Sequence, residues 1–204
     1  MQLPGREERL AELPYTNLRT LAEHLAVQLR PYTEKPFALF GHSVGALLAF
    51  ELTRSLRRQH SAMPRVLFLS ACSAPHLPLR RKPLYRLSDA AFLQEVRAIG
   101  GTSTAVIESQ AVLDLVLPAL RADFTALDTY RFVPDARLDC PLVLYAGRQD
   151  TEVPLQDVEA WKEYTTGTTI LQQFPGDHFF LRADRALLLQ STGALLLQLG
   201  VGVC

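Results

Sequence analysis

Gly41-His42-Ser43-Val44-Gly45 sets a serine at the centre of a G-x-S-x-G frame, the pattern of a sharp strand-to-helix turn that lifts a nucleophilic hydroxyl above the end of a sheet. Such a turn holds the serine backbone in an unfavourable region, and the flanking glycines are expected to let the chain pass closely without Cβ clashes. A serine hydroxyl attacks a carbonyl only when a base takes its proton, and the base needs a third group to fix its tautomer. Of the five histidines, His178 in Gly176-Asp177-His178-Phe179-Phe180 is the candidate base, because it follows the last strand-like run. His76, which follows an earlier strand, competes with it. His42 adjoins the serine, where neighbouring side chains diverge, and His24 and His60 sit on or just beyond helical stretches. For the orienting acid, Asp150 ends Gly147-Arg148-Gln149-Asp150 directly after an apolar run, although Asp there is also a common turn or helix-cap residue. Asp177 is too close along the chain to hold the His178 ring, and Asp139 precedes its strand and falls at the opposite end. The order Ser43, Asp150, His178 fits nucleophilic acyl transfer.

These groups must be carried by elements that bring them to one edge. Pro36-Phe37-Ala38-Leu39-Phe40 is an apolar run without alternation, as in a central strand covered on both faces, and it leads through the serine turn into a helix-forming run. Val66-Leu67-Phe68-Leu69-Ser70 and Leu142-Val143-Leu144-Tyr145-Ala146 predict two more strands, and 168–174 a fourth. A first helix starts at Thr16 or Asn17 as cap and stops at Pro31, and a leucine-rich helix over about 184–199 closes the chain. The stretch between Ser70 and Leu142 far exceeds the dozen or so residues of an ordinary crossover. Its patterns over 90–99, 109–117 and 118–130, with Gly100-Gly101 between the first two, predict a helical cap inserted over the sheet at about 83–130. Alternating strands and helices of this kind read as one α/β domain with a mostly parallel sheet.

Composition narrows the function. Lys plus Arg and Asp plus Glu both total 21, so no basic excess exists to neutralise nucleic acid or grip an anionic membrane. The amino end lacks a signal-like apolar core and no stretch has the roughly 20 apolar residues of a span, from which a cytoplasmic location is expected. Cys72, Cys140 and Cys204 are far apart without CxxC spacing, so neither a disulfide framework nor a metal site is indicated.

The chain resembles the type II thioesterases, stand-alone α/β-hydrolases that work beside polyketide and nonribosomal peptide synthases. The stretches that carry the resemblance are QLPGREER at 2–9, KPFALFGHSVGA at 35–46, LSDAAFLQEVRAIGGT at 87–102, LRADFTALDTY at 120–130, CPLVLYAGRQD at 140–150 and FPGDHFFL at 174–181. The family's triad maps onto Ser43, Asp150 and His178. Val44 stands where the family usually has Met, and its backbone N–H is implied as an oxyanion donor. The resemblance implies an α/β-hydrolase-like sheet with a helical cap and no cofactor of the protein's own. The substrate is then a small acyl thioester presented on the phosphopantetheine arm of an acyl or peptidyl carrier protein, with neither nucleic acid nor membrane as partner. Family members also carry a strand and a Pro- and Gly-rich loop ahead of QLPGRE that supply a second oxyanion donor. Met1 stands directly before Gln2 here, so the expectation is an N-terminally truncated domain that hydrolyses weakly and self-associates through the edge of its first strand. A generic esterase or lipase with the same triad, and a weakened carrier-protein-binding module, are the alternative readings.

Overall fold

The computed structural model describes residues 1–100, 109–183 and 185–200. It divides into two compact units, one formed by Leu21–Pro78 with Arg131–Cys204, the other by Met1–Thr20 with Leu79–Tyr130. The first unit is built on four strands, β1 (Ala38–His42), β2 (Val66–Ser70), β3 (Leu142–Gly147) and β4 (Thr169–Phe174), all parallel and in the order β1-β2-β3-β4. Every residue of β2 is buried, as are the first five of β3, which is why both read as unbroken apolar runs: a central parallel strand is covered on both faces. The first strand differs from expectation. It starts two residues later than the apolar run and extends to His42, and among the described residues it pairs only with β2, leaving Phe40 46% exposed.

Helix α1 (Leu18–Leu29) begins where Asn17 Oδ1 accepts the N–H groups of Arg19 and Thr20, satisfying donors that the first turn leaves without partners. Helix α2 (Val44–His60) springs directly from Ser43. Its segment Ala46–Leu56 is buried throughout, polar residues included, and Arg54 is the costliest of these to enclose. Its guanidinium bonds Glu51 Oε1 at 2.8 Å and the Val133 carbonyl at 2.7 Å, and it lies between the rings of Phe50 and Phe132, each 5.4 Å away. A buried cation persists only when paired and hydrogen-bonded in this way. On the other side of the sheet's core, Val66, Phe68, Val143, Tyr145 and Phe174 pack with Phe180, Leu188 and Leu195. Each such side chain contributes roughly 1.5–3 kcal/mol by leaving water.

Helix α3 (Asp89–Ile99) and helix α4 (Gln110–Asp128) belong to the second unit. Ser88 caps α3, and Gly100 ends it with φ of 85°, whereas Gly101 lies outside the described residues. The sequence pattern predicts two helices over 109–130, but α4 runs unbroken through Pro118. Proline removes one backbone hydrogen bond, yet Leu117, Leu120 and Phe124 pack with Leu84, Phe92 and Val96 along one face, and that shared burial keeps the two halves aligned. Asp128 Oδ2 accepts the N–H groups of Leu84 and Tyr85, and the carboxylate pairs with Arg81 at 2.8 Å. Short helices α5 (Leu155–Glu159) and α6 (Phe180–Ala183) and the long α7 (Arg185–Gln198) complete the α-helices among the described residues. The expected first residue of the closing helix, Asp184, is outside the described residues. No helix among those residues is long and apolar enough to cross a membrane.

Candidate active site

Parallel strands put their carboxyl ends on one edge, where βα loops gather. Ser43 follows β1, Asp150 follows β3 by three residues and His178 follows β4 by four. Ser43 has φ 54° and ψ −123°, a positive-φ conformation that costs about 1–3 kcal/mol in a residue other than glycine and is held only by its surroundings. Those surroundings are specific. Its N–H donates to the Ser70 carbonyl at 2.8 Å, and its carbonyl accepts from Ala46 at 2.9 Å. A Cβ on Gly41 would sit 2.0 Å from the Gly45 carbonyl oxygen, so β1 and the first turn of α2 touch through a glycine that cannot be replaced. Gly45 differs from expectation, since a Cβ there meets nothing within 4 Å. The turn itself needs only the first glycine.

The sheet order sets a problem, because β2 and β3 stand between the strands that carry Ser43 and His178. The loop after β4 solves it by folding back across the end of β3. Gly147 lacks the Cβ that would lie 2.4 Å from the Asp177 carbonyl oxygen, Gly176 turns with φ of 116°, and Gln149 N–H donates to the Gly176 carbonyl at 2.9 Å. His178 is thereby brought to Ser43 and is itself only 6% exposed.

The structure joins the three predicted residues in one chain of hydrogen bonds. Asp150 Oδ2 lies 2.9 Å from His178 Nδ1, and His178 Nε2 lies 3.0 Å from Ser43 Oγ. An ionised carboxylate can only accept, so Nδ1 carries the proton and Nε2 keeps a lone pair facing the serine hydroxyl. The other Asp150 oxygen, Oδ1, accepts the N–H groups of Glu152 and Val153 at 2.9 and 3.0 Å. Asp150 is thus both the orienting acid and a turn-forming residue, two readings that the sequence presents as alternatives. Val44 is the first residue of α2, and the N–H at that position has no partner within the helix.

The other histidines and acids are engaged elsewhere. His76 Nδ1 bonds the Tyr164 hydroxyl at 2.7 Å, His24 lies within α1 and His60 ends α2, and Asp177 Oδ1 accepts the Phe179 N–H. His42 is the residue that sequence reasoning passes over. Side chains of consecutive residues do diverge, yet the His178 loop folds back far enough for the two imidazoles to meet, with centroids 5.3 Å apart. Burial, aided by the charge of His178, pushes His42 down to about 4. Cys72 is enclosed and its thiol is pushed up to about 12 by burial, which makes it a packing residue with no thiolate at neutral pH. Among the described residues no group of three or more His, Cys, Asp or Glu side chains could hold a metal ion.

A parallel sheet whose strand ends unite a strained serine, a histidine and a buried aspartate defines an α/β-hydrolase. Within that class the chain belongs to the thioesterase family, whose domain model matches residues 1–192. It is 40% identical to the gramicidin S biosynthesis protein GrsT of Aneurinibacillus migulanus over 89% of this chain and 71% of that protein. Among solved structures it is similar to RedJ, a thioesterase from the prodiginine pathway of Streptomyces coelicolor, with 41% identity, a TM-score of 0.86 and coverage of 95% of this chain and 77% of RedJ. It is also similar to YbtT, a type II thioesterase of a yersiniabactin NRPS/PKS pathway, with 35% identity, a TM-score of 0.82 and coverage of 93% and 78%.

Proposed function

We propose that the protein is a serine thioesterase that releases acyl groups from the phosphopantetheine arm of a carrier protein, an editing role beside polyketide or nonribosomal peptide synthases. The observation that carries this reading is the continuous Asp150–His178–Ser43 hydrogen-bond chain in a member of the thioesterase family. His178 Nε2 takes the Ser43 proton as Oγ attacks the thioester carbonyl, and the Val44 N–H stabilises the oxyanion that forms. Collapse of that intermediate breaks the C–S bond, and the His178 imidazolium returns its proton to the departing sulfur. Water, deprotonated by His178, then attacks the acyl-serine. Its second collapse frees the carboxylic acid and restores Ser43, so one thioester and one water give one acid and one thiol.

Asp150 holds the imidazole in the tautomer that the first step requires and stabilises the cation that both halves create. The chemistry needs no cofactor of the protein's own, and the carrier arm brings the acyl group. The proposed location is the cytoplasm.

Deacylation of an acyl-loaded carrier protein, followed by intact mass, tests the proposal. The parent chain should release the acyl group, and Ser43→Ala should not. Small thioesters should be turned over faster than the matching oxygen esters, and the reverse order would favour a general esterase.

A further inference from the structure

We infer that His42 is a positioning residue for His178: a neutral imidazole, anchored through Nδ1 to Ser70 Oγ, that fixes the tilt of the catalytic base. The inference deepens the thioesterase reading and rests on it. Imidazole nitrogens make their hydrogen bonds in the ring plane, so the bonds to Asp150 and Ser43 set where the nitrogens of His178 point but restrain its tilt only weakly. Tilt is decided by what meets the ring from the side. Two rings do so, Phe179 at 5.0 Å with an interplanar angle of 85° and His42 at 5.3 Å and 54°.

Phe179 belongs to the same loop as His178 and moves with it. His42 does not, since it ends β1, where it is the register partner of Ser70 on β2. Its Nδ1 lies 2.9 Å from Ser70 Oγ, and Ser70 is fully buried. The ring of Phe180, 5.8 Å away at an interplanar angle of 71°, confines it further. His42 therefore couples the base to the sheet that also carries the nucleophile.

An uncharged ring suits this place. During each half-reaction His178 becomes a cation, and a second cation beside it would oppose that step. The charged or titratable groups acting on His42 are His178, Asp150 after β3 and Arg182 on α6, and burial outweighs them in holding the imidazole neutral at working pH. A phenylalanine would supply the ring but leave Ser70 Oγ without this partner, and that bond is what a histidine adds.

Steady-state hydrolysis of an acyl-N-acetylcysteamine thioester by His42→Ala, Ser70→Ala, His42→Phe and the His42→Ala/Ser70→Ala double variant tests the inference, with Ser43→Ala as control. A base displaced by about 1 Å can lose about 100-fold in rate. His42→Ala should lower kcat about 10- to 100-fold with KM within about twofold. The acid limb of its kcat/KM profile should move to higher pH, because water reaching the exposed ring favours the imidazolium. Ser70→Ala and His42→Phe, which keep a ring but lose the bond, should share a smaller loss. The double variant should be no slower than His42→Ala, because the serine acts only through the histidine.

Parent-like kcat and pH profile in His42→Ala, with Ser43→Ala inactive, would overturn the inference and leave the triad standing, as would losses that multiply in the double variant. Parent-like hydrolysis by Ser43→Ala would overturn both. Should His42→Ala fail to fold, Ser70→Ala and His42→Phe decide: matched losses in kcat support the anchor, and parent-like rates refute it.

Discussion

Replacing Asp150 by asparagine tests the tautomer argument with almost no change of shape. The side chain is 1% exposed and uses both oxygens, Oδ1 toward the N–H groups of Glu152 and Val153 and Oδ2 toward His178 Nδ1. An asparagine must keep its carbonyl oxygen at the Oδ1 position, because the flipped amide would face two backbone donors with an NH2 group and strand both, at about 1–3 kcal/mol each. The amide nitrogen therefore faces His178 and donates to Nδ1. A neutral imidazole that accepts there carries its own proton on Nε2, pointing at Ser43 Oγ 3.0 Å away, and has no lone pair left for the serine proton. Loss of the working tautomer in a triad lowers kcat about 10⁴-fold, or about 5.5 kcal/mol of barrier. Steady-state thioester hydrolysis should show that drop with KM close to the parent value, while the thermal melt should move by only a few degrees because no hydrogen bond is left open. A kcat within tenfold of the parent would instead show that Asp150 serves the turn alone.

Gly41→Ala should misfold or lose most activity, since its Cβ would lie 2.0 Å from a backbone oxygen, whereas Gly45→Ala, which meets open space, should raise stability by about 0.5–1 kcal/mol in urea titrations. Arg54→Met should cost about 3–5 kcal/mol in the same assay, because Glu51 loses a cation in a buried setting. The depression of His42 from 6.5 to about 4 means that the unfolded chain binds a proton which the folded chain refuses. Stability should be full above about pH 6.5 and fall by about 3 kcal/mol as pH drops to about 4. His42→Phe should remove that part of the slope, and parallel pH–stability curves for parent and variant would contradict it.

The apolar runs Val66–Ser70 and Leu142–Ala146 announce buried parallel strands, and an Asp after the third strand run and a His after the fourth announce loops on the serine's edge, because local pattern and chain order suffice for both; the run at Pro36–Phe40 reads the same way, yet its strand is only partly covered. The G-x-S-x-G frame likewise announces the turn at Ser43, since strain at one residue is a local property. Adjacency across the sheet is not local. That β2 and β3 stand between Ser43 and His178, and that Gly147 lets the His178 loop cross the gap, follow from strand order and from a backbone approach between residues about thirty apart. Separation in sequence also hides His42 against His178 and the continuity of α4 through Pro118, where Leu84, Phe92 and Val96 supply the packing that a proline-interrupted pattern cannot reveal. Residue types and spacing determined which groups could react. Only the folded backbone decided which of them touch, because contacts between distant segments depend on packing geometry that no window of sequence contains.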